Sequence, residues 1–286
     1  MKIAVSAYSY ESYVRAGKLT QLSCVAKAAE MGFSAIEFTD MKAEGLDAQK
    51  RLAEEIRKEA ERYGIDVVAY AIRGELFKES PEKDEAEVKR LCDQLDVCKI
   101  LGAPLMRHDV CYTLTKTGAG RSFDLMLPTL AANVRAVAEY GASIGVGTCT
   151  ENHGGIAKSS DRLERLFNAV AHDNYGLLLD FGNFVGAAED PAQAVTRLAP
   201  YAVHAHAKDL KISMEPNEEH PNLSPSGVYT ARVAVGDGVV PVKRCLRILK
   251  AAGYDGYVSI EYEGSEDCVT AIARAHEVLK GYLAEL

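Results

Sequence analysis

Two hydrophobic rhythms alternate along the chain. Short, nearly uninterrupted apolar runs occupy positions 3–10, 35–38, 67–72, 104–107, 146–151, 175–180, 202–207 and 257–261. A run that is apolar on every residue is a strand covered on both faces, as in parallel sheets sandwiched by helices. Between these runs the apolar residues recur every three or four positions, for example Val88, Leu91, Cys92 and Leu95, then Leu163, Leu166, Phe167 and Val170, then Val242, Cys245, Leu246 and Leu249. That spacing predicts helices with one buried stripe. Punctuation agrees with it. Gly32 and Gly64 stand where helices over 19–31 and 47–63 should close, Ser80-Pro81 and Asp190-Pro191 are helix starts, and Asp161 to Glu164 reads as a capping box. Further helices are expected over 123–140 and from 267 onward.

Eight strands strictly alternating with eight helices in 286 residues predict a single α/β domain over 1–286, a closed (β/α)8 TIM barrel rather than an open sheet. One stretch breaks the rhythm. Residues 208–240, after the seventh strand, are dense in Pro, Asn, Glu, Ser and Gly and read as a long irregular loop, the kind that covers a site.

Four consecutive strand runs end on metal-binding residue types: Glu151, Asp180, His206 and Glu261. In parallel α/β folds the carboxyl ends of the strands carry the ligands. An acid at one strand end often does no more than cap the next helix. Four such residues on neighbouring strands converge on one side of the barrel mouth, where three carboxylates would repel one another without a cation. Together they form a mixed oxygen and nitrogen set for one divalent ion.

Composition narrows the classes. A formal net charge of −8 leaves no basic surplus for phosphate backbones and argues against nucleic acid as a partner. No apolar run approaches the ~18–20 residues of a membrane span, and Met1 to Tyr8 lacks the features of a secretory signal, so no membrane association and a cytoplasmic location are expected. The seven cysteines are dispersed without a Cys-x-x-Cys, which fits buried thiols in a reducing compartment and neither a disulfide framework nor a zinc ribbon. Fourteen tyrosines accompany no tryptophan; those at Tyr8, Tyr10, Tyr13 and Tyr229 are candidates for a sugar-stacking wall, with packing or a homo-oligomer interface as the alternatives.

Four segments carry a resemblance that spans essentially the whole chain: Thr150-Glu151-Asn152-His153-Gly154-Gly155, Leu179-Asp180-Phe181-Gly182-Asn183, His204-Ala205-His206-Ala207-Lys208-Asp209, and Gly253 through Glu263. With them the chain resembles the xylose isomerase-like barrels, which include sugar-phosphate and ketose isomerases and epimerases. The resemblance implies that Glu151, Asp180, His206 and Glu261 hold one Mn²⁺, Mg²⁺ or Co²⁺ ion, and that Glu151 and Glu261 are also the acid/base pair. Oxygen ligands with a single imidazole suit Mn²⁺ or Mg²⁺, and Zn²⁺ stays open.

The expected activity is isomerisation or epimerisation of a small carbohydrate or its derivative, through proton removal beside a carbonyl and an enediolate. Dehydratases of the inosose or dehydroshikimate kind share the ligand set and are the alternative. A non-catalytic sugar-binding or partner subunit is the third reading. Six residues are expected at the substrate. His153 faces either substrate or a supporting carboxylate, Lys208 either a substrate oxygen or Asp209, and Arg107 with His108 would grip a carboxylate, phosphate or hydroxyl. Arg232 is of the same kind, in the long loop, and His204 reads as a satisfied barrel-interior residue. Asn183 departs from the ketose epimerases, which carry histidine three residues after the metal-binding aspartate, and it cannot exchange a proton.

Overall fold

In a computed structural model of the chain, describing residues 1–78, 80–115, 118–216, 222–224 and 227–286, the eight expected strands are present and close on themselves. They are β1 (Lys2–Ser6), β2 (Ala35–Thr39), β3 (Asp66–Ile72), β4 (Leu105–His108), β5 (Gly147–Glu151), β6 (Tyr175–Asp180), β7 (Ala202–Ala207) and, after a three-stranded insertion, β11 (Tyr257–Ile260). All neighbours pair in parallel, and β1 joins β11 to β2 to complete a (β/α)8 barrel.

The apolar rhythm has the meaning it predicted. In β6 the buried Leu177 and Leu179 belong to the large core shared with the surrounding helices, whereas Asp180 falls on the opposite, inward face. Side chains inside the barrel lie in layers. Ala4, Ala35 and Val68 pack with Tyr257 as a small apolar floor. One step along the strands are Glu37, His204 and Ser259, and above them Glu151, Asp180, His206 and Glu261. The polar layers therefore sit at the carboxyl ends, where the barrel is open.

Most local signals match the elements they mark. Gly64 takes φ 66° beyond the helix Leu46–Tyr63, and Asp190 accepts from the backbone N–H of Gln193. The capping box at 161–164 is not formed. The helix there is Ser160–Val170 with Ser159 as its cap residue, and the Glu189 carboxylate takes the Ser160 N–H instead, at 2.8 Å. The first strand stops at Ser6 rather than at 10, because residues 7–10 curl into a 3₁₀ turn that leads to the short helix Glu11–Arg15.

The larger correction concerns 208–240. Within it β8 (Asp209–Ser213), β9 (Asn222–Leu223) and β10 (Tyr229–Val233) form a small antiparallel sheet in the order β8-β10-β9. Its strands are too short and too mixed to stand out from the surrounding Pro, Gly and Asn. Tertiary hydrogen bonds hold the segment: the Asp209 carboxylate accepts from the backbone N–H groups of Leu210, Gly236, Gly238 and Val240, at 2.8–3.0 Å. Among the described residues no helix is long and apolar enough to cross a membrane, and all seven cysteines are free.

Candidate metal centre

β5 and β6 deliver Glu151 and Asp180 on their last residues, β7 delivers His206, and Glu261 follows β11 directly, its N–H bonded to the Ala207 carbonyl at 3.1 Å. Register aligns them: Asp180 is paired with His206, and His206 with Ser259. One ligand atom from each of Glu151, Asp180, His206 and Glu261 lies within 4.8 Å of the others.

The imidazole of His206 is held from behind. Its Nε2 lies 2.9 Å from Glu37 Oε2, and His204 Nε2 reaches the same oxygen at 2.9 Å and Ser259 Oγ at 2.9 Å. Nδ1 then faces three carboxylates, 3.9 Å from Glu151 Oε1, 3.9 Å from Asp180 Oδ2 and 3.8 Å from Glu261 Oε2. These spacings exceed a hydrogen bond, and this fully buried nitrogen has no hydrogen-bond partner among the described residues. A buried, partnerless nitrogen aimed at a point ringed by carboxylate oxygens has the donor types that could hold a divalent cation.

Charge confirms the tension there. Burial alone would lower the His206 pKa, but the Glu37 and Glu261 carboxylates outweigh it and raise it to about 10. Burial pushes Asp180 up to about 6, with Glu261 and Glu151 adding to it against the Lys208 ammonium. Glu151 and Glu261 are held below the usual range despite burial, the first chiefly by Arg107 and the second chiefly by Lys208.

Both oxygens of Glu151 are engaged. Asn183 Nδ2 donates to Oε1 at 2.9 Å, and the Arg107 guanidinium contacts Oε2. Asn183 also gives its backbone N–H to Asp180 Oδ1, at 2.8 Å. Lys208 contacts Glu261 and lies 3.1 Å from Asp180 Oδ2 and 2.9 Å from Glu263 Oε1. Its partner is therefore not Asp209, which is turned to the 236–240 backbone.

His153 Nδ1 lies 2.9 Å from Asp109 Oδ1, and Asp109, held at about 2 by Arg107 and His153 against its burial, also accepts from the Tyr112 hydroxyl. The ring borders a cleft of about 430 Å³ lined also by Arg107, Glu151, His206, Lys208 and Glu261.

One expectation needs correction, and another residue lies apart from the cleft. His108 is on the opposite face of β4 from Arg107, fully buried with Nδ1 3.0 Å from the Asp109 carbonyl and its pKa lowered to about 4 by burial, so it does not line the cleft. Arg232 is in β10 and lines a separate small cavity, its Nε 3.6 Å from Glu263. Of the tyrosines, Tyr8 borders the cleft, Tyr10 is fully buried in the core, Tyr13 bonds Asp267, and Tyr229 is in the small sheet. Glu37, Asp109 and Asn152 escaped sequence reading. Glu37 had a signal, a charged residue inside the apolar run Ala35 to Phe38. Asn152, whose side chain makes a reciprocal pair with the Asp180 backbone at 2.8 Å, had none.

The family described as the xylose isomerase-like TIM barrel matches residues 25–282. An inosose dehydratase of Lacticaseibacillus casei is 27% identical over 137 residues, 47% of this chain and 46% of that protein, so the match spans just under half of that relative's length. Solved structures share the fold. A probable 3-DHS dehydratase from Bacillus anthracis has a TM-score of 0.76 at 18% identity, covering 98% of this chain and 99% of its own. A xylose isomerase-like TIM barrel protein from Mycobacterium smegmatis, in complex with magnesium, has a TM-score of 0.71 at 18% identity over 99% and 97% of the two chains.

Proposed function

Because the chain belongs to the xylose isomerase-like TIM barrel family, we propose that it is a divalent-metal-dependent enzyme that removes a proton from the carbon beside a carbonyl of a carbohydrate-derived ketone. The observation that carries this reading is the buried Nδ1 of His206 facing Glu151, Asp180 and Glu261 at 3.8–3.9 Å. Those four residues would hold the ion, which when bound polarises the substrate carbonyl and stabilises negative charge developing on its oxygen. Mn²⁺ and Mg²⁺ fit three carboxylates and one imidazole best.

The rest follows from the chain's own groups. Glu151, clamped by Arg107 and Asn183, is kept ionised and is better placed as a ligand than as a proton carrier. His153, oriented through Nδ1 by the buried Asp109, keeps its second nitrogen for proton transfer at the cleft. Lys208 and Arg107 offer donors to substrate oxygens.

After the C–H bond breaks, two outcomes are open to the enediolate. Loss of the hydroxyl from the next carbon forms a C=C bond and releases water once that oxygen is protonated; a clamped Glu151 and the inosose dehydratase similarity favour this dehydration. Return of the proton gives isomerisation or epimerisation, for which Glu261 and His153 at the cleft are the groups left to carry it.

Deuterium uptake from D₂O across a panel of ketoses and cyclic polyol ketones, with Mn²⁺ and with chelator, tests the proposal. Chelator-sensitive exchange is expected, with loss of water marking the dehydratase and recovered ketone the isomerase or epimerase. A metal-loaded protein that exchanges no proton with any member would overturn it.

A further inference from the structure

A second cavity, of about 130 Å³, opens beneath the small sheet next to the metal centre, and Lys158, Lys208 and Arg232 line it with Asn183, Gly182 and Gly186. The three cations arrive from separate places in the chain: Lys158 after β5, Lys208 at the end of β7, and Arg232 in β10. The cavity and the large cleft share a wall at Lys208, which lines both spaces.

Two of the cations are compensated. Lys208 is met by Asp180, Glu261 and Glu263, while Arg232 lies 3.6 Å from Glu263 and donates to Thr230 Oγ1 at 3.2 Å. Lys158 is not: among the described residues its ammonium has neither an ion-pair nor a hydrogen-bond partner. Burial draws its pKa down; the Asp180 carboxylate opposes this, Lys208 and Arg232 push with burial, and Glu151 opposes them in turn. Because those carboxylates act on Lys158 without pairing with it, an anion entering the cavity would give this half-buried cation the partner it lacks.

The backbone makes room for this arrangement. Gly182 and Gly186 are one turn apart on the short helix Phe181–Gly186. A Cβ at Gly186 would stand 2.8 Å from Lys158 Nζ, and one at Gly182 would stand 3.0 Å from Lys208 Cγ. Two missing side chains thus leave the space in which two lysines lie.

The geometry points to an oxyanion subsite in this cavity, which holds a phosphate or carboxylate borne by the substrate whose carbonyl end is at the metal centre. The inference rests on the reading of that centre as the place of chemistry and adds the substrate class, an anionic sugar derivative. Asp180 and Glu261 are also the proposed ligands, so in the loaded protein Lys208 shares them with a dication and the positive surplus of the cavity grows.

Two measurements test it. Calorimetric titration of the metal-loaded full chain with sulfate, a dianion that cannot react, is expected to show binding that weakens about tenfold in Lys158→Ala. Gly186→Ala, which displaces the ammonium and keeps its charge, is expected to weaken it similarly. No sulfate binding, or equal binding by all three proteins, overturns the subsite. Matched neutral, phosphorylated and carboxylated ketones in the deuterium assay are expected to separate, one anionic class having a KM about tenfold below the neutral compound and Lys158→Ala narrowing that gap. The favoured class identifies the anion, and equal KM values overturn the inference. Sulfate binding that depends on Lys158 in a protein exchanging no proton would sink the proposed chemistry and leave the subsite standing.

Discussion

Glu37 Oε2 lies 2.9 Å from His206 Nε2, and this one contact decides which nitrogen of the imidazole faces the three carboxylates. A carboxylate behind a metal-ligating histidine fixes its tautomer and raises its basicity. Glu37→Gln keeps the shape and removes the charge. It is expected to weaken Mn²⁺ binding by about 10- to 100-fold, read by competition with a chromogenic chelator. Unchanged affinity would show that Glu37 only fills the barrel interior.

Glu151→Gln and Glu261→Gln are each expected to abolish turnover and to lower bound metal well below one ion per chain, with circular dichroism unchanged. The apolar core lies between strands and helices, away from these residues, so the fold does not depend on them. Chelator treatment of the wild type should give the same loss and be reversed by added metal. Wild-type turnover in both variants would sink the assignment.

Metal uptake should release protons. With His206 near 10 in the metal-free protein, its imidazole is charged at pH 7.5 and must lose a proton to bind, so about one proton per ion is expected, and affinity should rise with pH. Below about 6 the Asp180 proton is displaced as well and the dependence steepens. The metal-free fold moves the other way. A histidine pKa raised on folding stabilises below its unfolded value near 6.5 and loses that contribution as pH rises toward 10. Asp180, raised to about 6, likewise loses its contribution as pH rises from its unfolded value near 3.8 through 6. The gap in Tm between loaded and metal-free protein should therefore widen from pH 5 to pH 8. Calorimetry in buffers of different ionisation enthalpy counts the protons, and none released at pH 7.5 would refute the charged imidazole.

Asp109→Asn should lower the rate about 10- to 100-fold and displace the pH profile of kcat, because His153 loses the carboxylate that orients it. A lower rate with an unmoved profile would assign Asp109 a purely structural part in holding Arg107 and Tyr112.

Asp209→Ala should destabilise the chain by about 2–4 kcal/mol in urea titration, since the N–H groups of Gly236, Gly238 and Val240 lose their acceptor. The inserted sheet should become protease-sensitive before the barrel does. A change within the error of the titration would mean that water replaces the carboxylate at no cost.

The sequence by itself determined the barrel and the four residues at its mouth. Strands buried on both faces are written as continuous apolar runs, so Asp180 at the end of Tyr175–Asp180 and Glu261 after Tyr257–Ile260 are legible as breaks in local pattern. Periodicity carries no information about what meets across the barrel. Only the tertiary structure set Glu37 behind both His204 and His206, from residues 167 and 169 positions away, and turned His108 out of the cleft while Arg107 points in. The inserted sheet escaped for a related reason: the pairing of β8 with β10 and the Asp209 bonds that hold it are contacts between segments, invisible in a stretch rich in turn formers. Lys158 shows the same limit. Its position in the chain looks like that of any loop lysine, and its isolation beside Lys208 and Arg232 arises when three separate segments close around one cavity.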